Sequence, residues 1–100
     1  KPLSSLLDRV SERELTDVIR RYGDERHAGR IARSILKARR DGVLNSTRDL
    51  ENICFHAYPR QARHGSTHPA TRTFQALRMW VNNEMAQLES GIRSAMRLLA

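Results

Sequence analysis

Apolar residues recur at steps of three and four along most of this chain, and no stretch alternates with the period of two that marks a strand. The longest such row is Ala70, Phe74, Leu77, Val81, Met85, Leu88, Ile92, Met96 and Leu99. The pattern predicts an all-α fold, a small bundle of four to five helices with one long C-terminal helix. Ser90 and Gly91 mark the point where that helix can break into two.

Capping and stop signals place the first helices. A short helix is expected over Ser4–Val10. Ser11 and Glu14 then form a capping box, in which the hydroxyl and the carboxylate each accept a backbone N–H at the start of the second helix. Gly23 supplies a left-handed residue to end that helix. Asp24 is expected to restart the chain as a third helix, over 24–40.

The second half of the chain carries signals of the same kind. Ser46 or Thr47 can cap a helix that ends at Pro59. A polar, basic loop over 60–67 follows. His68 and Pro69 then open the long helix, because proline is well suited to a first helical turn.

Length and charge limit the classes of function. One hundred residues make one domain, too small for an enzyme with its own doubly wound sheet. Eighteen Lys and Arg against eleven Asp and Glu give a net charge of +7, which favours an anionic partner such as nucleic acid, a phosphate-bearing ligand or a membrane surface. No apolar run approaches the about 18 residues of a membrane span, so no membrane partner is predicted. Cys54, the only cysteine, excludes an internal disulfide and suits a reducing compartment.

Motifs for catalysis are missing from the sequence. The five glycines are scattered, without the spacing of a phosphate-binding loop, and the four histidines form no H-E-x-x-H pair. Cys54 falls on an apolar helix face, where a small buried residue is the expected reading. We therefore predict no catalytic residue, no cofactor-binding residue and no metal site in this chain.

One basic row lies on the third predicted helix, opposite its apolar face. Two interpretations of this row stay open: a face that follows phosphates, since guanidinium groups match phosphate oxygens, or an ordinary solvated helix face. Its members are Arg26, Arg30, Arg33, Lys37 and Arg40.

A second basic region has no acidic residue between Glu51 and Glu84. Such a charge asymmetry, centred on a loop, favours contact with RNA or DNA. Met79 and Trp80 are typical of core or docking residues more than of a base-stacking platform. The pattern indicates an anion-binding surface carried by Arg60, Arg63, Arg72 and Arg78, with His56, His64 and His68 beside them.

Two segments of the chain resemble a known family. Residues 68–78, H-P-A-T-R-T-F-Q-A-L-R, followed by V-N-N-E-M at 81–85, are similar to the signature of the bacterial 16S rRNA cytosine-N4 methyltransferases, the RsmH or MraW family. Residues 21–26 and 30–32, R-Y-G-D-E-R and R-I-A, resemble a second family segment. The two lie in the family's order and separation, and the loop between them is the least similar part.

The resemblance implies a division of labour. In that family a helical domain is inserted into a Rossmann-type domain that binds S-adenosylmethionine (SAM), and residues 1–100 resemble the insert alone. SAM would be the cofactor of the parent protein, bound outside this chain. The parent would methylate N4 of a cytosine in small-subunit rRNA. The insert would close the cleft and hold RNA, in a cytoplasm or an organelle of bacterial descent.

The resemblance also suggests roles on the long helix. Arg72 and Arg78 would contact phosphates. Gln75, Asn82 and Glu84 would hydrogen-bond across the cleft to the partner domain, and a simple surface or capping role for these three stays open as well. Two other interpretations stay open. The chain can be a free-standing nucleic-acid binder that uses helices 12–22 and 24–40 as a helix-turn-helix variant, or a helical protein-interaction domain whose charge serves solubility.

Overall fold

The computed structural model describes residues 2–99, which form five α-helices and no strand. The helices are α1 (Pro2–Arg9), α2 (Glu12–Gly23), α3 (Ala28–Arg40), α4 (Thr47–Ala57) and α5 (Thr71–Leu99), with one 3-10 turn at Arg60–Ala62 inside the loop before α5. The all-α prediction and its long C-terminal helix are confirmed. α5 is continuous, because Ser90 and Gly91 remain helical.

The caps of two helices form as the sequence predicts. The Ser11 hydroxyl accepts the Glu14 N–H at 3.1 Å, and the Glu14 carboxylate accepts the Ser11 N–H at 3.2 Å. The Ser46 hydroxyl accepts the Asp49 N–H at 3.1 Å and makes Ser46 the cap of α4. Each pair satisfies backbone donors that a helix start leaves without a partner.

The core forms where α2 packs against both α3 and the first half of α5, while α3 also packs on α4. α1 lies across α3 and α5 and contributes Leu6 and Leu7. Aliphatic side chains dominate this core, in keeping with the few aromatic residues. Its other buried members are Leu15, Ile19, Ala28, Ile31, Ala32, Ile35, Leu50, Cys54, Ala57, Ala70, Leu77 and Trp80.

The turn between α2 and α3 differs from the expectation. α3 begins at Ala28, so the prediction of a helix restarting at Asp24 was wrong. The Glu25 side chain is buried, and its carboxylate accepts the His27 N–H at 2.8 Å and the Tyr58 hydroxyl. These bonds hold residues 24–27 in a turn, because a buried carboxylate must keep its hydrogen bonds.

Gly23 also has a role other than the predicted one. It is the last residue of α2, and Asp24 is the left-handed residue, with φ of 51°. A Cβ built on Gly23 would lie 2.4 Å from the carbonyl oxygen of Arg72. The glycine is therefore required by the close approach of α2 and α5.

The long helix begins at Thr71, two residues after the predicted proline. His68 caps this start with its ring, whose Nδ1 accepts the Ala70 N–H at 3.0 Å. Pro69 is fully buried just before the helix. The correction is small, since the proline still sits at the entrance to the first turn.

The two halves of α5 differ in burial. Leu77 and Trp80 are buried, and Phe74 and Val81 are half-buried against the core. Every described residue from Met85 onward is exposed, and the second half of the helix projects from the bundle, which gives the molecule extents of 59 × 27 × 22 Å. We call residues 82–99 the free half of α5. Its exposed apolar side chains, the apolar strip, are Met85, Leu88, Ile92, Met96, Leu98 and Leu99.

Candidate nucleic-acid interface

Four helix ends meet at one end of the bundle: the C-termini of α2 and α4 and the N-termini of α3 and α5. Gly23 touches the backbone of Arg72, and the His27 ring lies edge-on to Tyr58 with centroids 4.6 Å apart. We call this surface, residues 24–27 and 55–72, the basic end. It brings together residues that are up to 48 positions apart in the chain.

Arg72 links α5 to the α2–α3 turn. Its Nη1 donates to the carbonyl oxygen of Asp24 at 2.8 Å and lies 4.0 Å from the Asp24 carboxylate. The side chain remains 48% exposed. Because a guanidinium carries five N–H donors, Arg72 can hold the turn and still present donors to a phosphate.

A buried hydrogen-bond pair lies beneath this surface. The Tyr58 hydroxyl donates to Glu25. Burial, followed by the hydrogen bond and charge of the Glu25 carboxylate, raises the pKa of Tyr58 well above its usual range. Tyr58 therefore stays a neutral donor and fixes the end of α4 against the turn before α3.

Arg63 is half-buried and caps the C-terminus of α4. Its Nε donates to the carbonyl oxygen of Tyr58 and its Nη2 to that of His56, both at 3.2 Å. These bonds give Arg63 a structural role at carbonyl groups that the helix leaves unpaired. Arg60, three residues earlier, is exposed on the 3-10 turn.

An aromatic cluster at this end was missed in the sequence. Phe55 is half-buried, and around it lie His56, His64 and His68, with ring centroids at 5.3, 5.6 and 6.2 Å. The guanidinium carbon of Arg63 lies 5.3 Å from the centroid of the Phe55 ring. The available signal was the concentration of three histidines within 13 residues after Phe55, but only the folded loop brings them to one ring.

The predicted basic row is only partly a helix face. Arg26 lies in the turn before α3, because that helix starts later than expected. Arg33 pairs with Glu12 at 3.6 Å, and Lys37 pairs with Asp41 at 3.1 Å. All five cations are exposed, and within residues 2–99 no ion pair involves Arg26, Arg30 or Arg40.

The candidate residues on α5 divide between two faces. Gln75, Arg78 and Asn82 are exposed and follow one another at steps of three and four, on one side of the helix. Glu84 is half-buried on the other side, in a groove that Leu6, Val10, Val18 and Trp80 also line. Glu84 therefore does not share a surface with Gln75 and Asn82.

The Cys54 side chain is buried in the core. Burial raises the pKa of Cys54 to about 12, so the thiol stays protonated at neutral pH. No three His, Cys, Asp or Glu side chains within residues 2–99 converge on a point where a metal ion could bind. Across the same residues, none of the helices is long and apolar enough to pass through a membrane.

Comparison with known proteins identifies the family. Residues 3–100 match the MraW methylase family. The chain belongs to this family. The resemblance given by the segments around Gly23 and Arg72 is thereby confirmed, and the structure shows that these two segments of the MraW family pack directly on each other.

Individual relatives carry one name, ribosomal RNA small subunit methyltransferase H. The chain is 45% identical to the protein of this name from Sulfurihydrogenibium sp. over 89% of its residues, 49% identical to that of Anaplasma marginale over 90%, and 49% identical to that of Geobacter sulfurreducens over 96%. It covers 30%, 31% and 31% of those proteins, so it spans about a third of the length of these relatives.

Proposed function

We propose that this chain is the helical, RNA-holding and cleft-forming domain of a methyltransferase that acts on N4 of a cytosine in small-subunit rRNA. The observation that carries the proposal is the family match over residues 3–100. The relatives' name supplies the substrate class, and their greater length leaves room for a separate catalytic domain. The site of action would be the cytoplasm of a bacterium.

The charge distribution supports an RNA-holding role. The basic end and the exposed face of α3 present most of the excess positive charge. Arg72, Arg78, Arg60 and Arg30 are exposed, so their donors can reach phosphate oxygens without unfolding the domain. Such contacts hold an RNA in place without reading its sequence. Choice of the target cytosine would then fall to the catalytic domain.

The described residues do not fit SAM, the methyl donor that the family implies. Gly23, the glycine closest to the family's segments, is packed against the backbone of α5 and cannot line a cofactor loop. The grooves between the helices in residues 2–99 contain no glycine-rich phosphate or nucleotide cradle. We therefore assign SAM binding to a Rossmann-type domain outside this chain, and residues 2–99 take no part in holding the cofactor.

The apolar strip supports a fixed position for that second domain. Leu88, Ile92 and Met96 are 60%, 54% and 64% exposed. They continue the helix face on which Val81 is half-buried against the core. Exposed apolar patches of this kind mark interaction surfaces. About two-thirds of each relative's length lies beyond the matched region, and we propose that this part covers the strip.

Mutation of Arg78 in the full-length enzyme tests the RNA-holding role. Arg78→Ala should raise the KM for small-subunit RNA several-fold and leave the affinity for SAM unchanged, because it removes one phosphate contact. The double variant with Arg72→Ala should have a larger effect. Arg72 also holds the Asp24 carbonyl, so circular dichroism must show that the double variant is folded.

Arg48→Ala is the matched control, since Arg48 is an exposed arginine at the other end of α4. RNA affinity of the wild type should fall steeply with salt, and each removed contact should reduce the slope by about one. Unchanged methylation by both Arg78→Ala and the double variant would contradict the assignment. Sequence-selective binding of duplex DNA would favour the helix-turn-helix interpretation instead, and absence of RNA binding would favour a protein-interaction domain.

A further inference from the structure

The aromatic cluster around Phe55 is not explained by packing alone. Phe55 and His56 lie near the C-terminus of α4, and the loop that follows brings His64 and His68 to the Phe55 ring. All three histidines are exposed, although each is held against an apolar ring. The three imidazoles surround the ring and do not converge on a metal position in the described part of the chain.

Hydrogen bonds fix how two of these rings present their nitrogens. The Nδ1 of His56 lies 2.8 Å from the carbonyl oxygen of Asn52, so this nitrogen must carry a proton and donate. The Nδ1 of His68 accepts the Ala70 N–H, so its neutral ring carries the proton on Nε2. His68 thus presents an Nε2–H donor.

His64 presents an aromatic face. Its ring stands edge-on to Phe55, with an interplanar angle of 68°, and the residue is exposed. Phe55 is itself covered on one side by the guanidinium of Arg63, which the carbonyl groups of α4 hold in place. Phe55 and Arg63 therefore position the cluster, and His64 is an exposed ring that a planar ligand can reach.

Positive charge predominates in the chain segment around this ring. The Arg63 guanidinium lies over Phe55, Arg60 is exposed on the 3-10 turn three residues earlier, and residues 52–83 contain no Asp or Glu. Glu51, one turn before Phe55 on α4, is the nearest acid along the chain and is half-buried. A π face, an imidazole N–H donor and guanidinium groups in one small area match the parts of an unpaired nucleotide.

We infer that the aromatic cluster binds an unpaired nucleotide of an RNA strand. The base stacks on the His64 ring, and the adjoining phosphate accepts hydrogen bonds from His68 Nε2–H and from Arg60. This inference rests on the proposed function, because it names the form of RNA that the domain holds. The contact requires single-stranded RNA, since base faces in a duplex are stacked and unavailable.

The test uses the full-length enzyme and binding of a single-stranded RNA oligonucleotide followed by fluorescence anisotropy. His64→Ala with His68→Ala should weaken binding about tenfold, whereas SAM affinity stays unchanged. His64→Tyr should retain near wild-type affinity, because it keeps an aromatic face. His64→Leu should lose that affinity, because leucine has a similar bulk but no π system. Gln61→Ala with Thr67→Ala, two exposed polar residues of the same loop, is the matched control.

Two failures are distinguishable. If the wild type binds RNA in a salt-dependent way and His64→Ala/His68→Ala binds equally well, the cluster is not a nucleotide site although the proposed function stands. Preference of the wild type for a duplex over the matching single strand, with His64→Leu equal to His64→Tyr, overturns the inference in the same way. If the wild type binds no RNA at all, the proposed function and the cluster assignment both fail.

Discussion

The first and second halves of α5 carry the same apolar periodicity and have opposite surroundings. Over 71–81 the periodic side chains pack against α1 and α2, and Leu77 is 3% exposed. Over 82–99 the row continues and Leu88 is 60% exposed. A periodic pattern therefore specifies a face to be covered, but not what covers it, because apolar burial is non-directional. In this chain one half is covered internally and the other is exposed.

Truncation of one leucine in each half gives the largest expected contrast. Leu77→Ala should lower the free energy of unfolding of this chain by about 2–5 kcal/mol, since it leaves a cavity in the core. Leu88→Ala should change it by less than about 0.5 kcal/mol, because that side chain is in solvent. Urea unfolding followed by circular dichroism measures both. Similar costs for the two variants would show that the halves do not differ in burial.

The next-largest contrast is expected from a charge placed on the apolar strip. In the full-length protein, Ile92→Glu should lower stability by about 2 kcal/mol or more, because it would bury a carboxylate against the proposed second domain. In this chain alone the same variant should be nearly neutral. Gln87→Glu, on the exposed free half, is the control for added charge. Thermal unfolding of all the proteins compares them, and a neutral Ile92→Glu in the full-length enzyme would remove the strip from the domain interface.

Glycines in the two settings should respond with opposite signs. Gly23→Ala is expected to destabilise by about 1–3 kcal/mol, because its Cβ would meet the Arg72 carbonyl and push α5 away. Gly91→Ala, on the free half with no atom within 4 Å of the added Cβ, should stabilise by about 0.5–1 kcal/mol through helix propensity. Chemical denaturation of the two variants checks the signs. A stabilising Gly23→Ala would mean that α2 and α5 are less close than described.

The smallest expected effect is on the pH dependence of stability, and it concerns α1, which packs on α5. Asp8 of α1 makes two hydrogen bonds with Arg39 of α3, at 2.8 and 3.1 Å, and the bond to Arg39 lowers the pKa of Asp8 below its ordinary 3.8. A lowered pKa means stability that is present above about pH 4 and lost as pH falls through the folded-state value.

The stability difference between wild type and Asp8→Asn should therefore be small at neutral pH and disappear below about pH 4. Unfolding measured at several pH values tests this sign, with Asp17→Asn as the control because Asp17 is an exposed residue of α2. A difference that grows on acidification would contradict the role of the Asp8–Arg39 pair.

Much of the fold was predictable because its signals are local. The capping box of Ser11 and Glu14 and the cap at Ser46 formed as predicted, since each depends on residues three positions apart. The α2–α3 turn was not predictable in this way. Glu25 looks like a helix-starting acid, but Tyr58, 33 positions away, takes its carboxylate into the interior. No local pattern reports such a partner.

The candidate site was predictable only in part for the same reason. The basic character of 52–83 and the placement of Arg72 on α5 could be read from the chain. The aromatic cluster could not, because Phe55 and His64 become neighbours only when the loop wraps back on α4. The division of Gln75 and Glu84 between two faces followed from helix geometry, and the groove beside Glu84 required the position of α1.

The amino-acid sequence alone was enough to predict the helices, most of their caps and the excess of positive charge. Two segments of the sequence were enough to indicate the protein family. These features depend on neighbouring residues or on composition. Only the tertiary structure decided which cations stand in solvent, which acid is buried and which apolar face is left uncovered. Those outcomes depend on contacts between residues far apart in the chain, where burial and hydrogen bonding outweigh local preference.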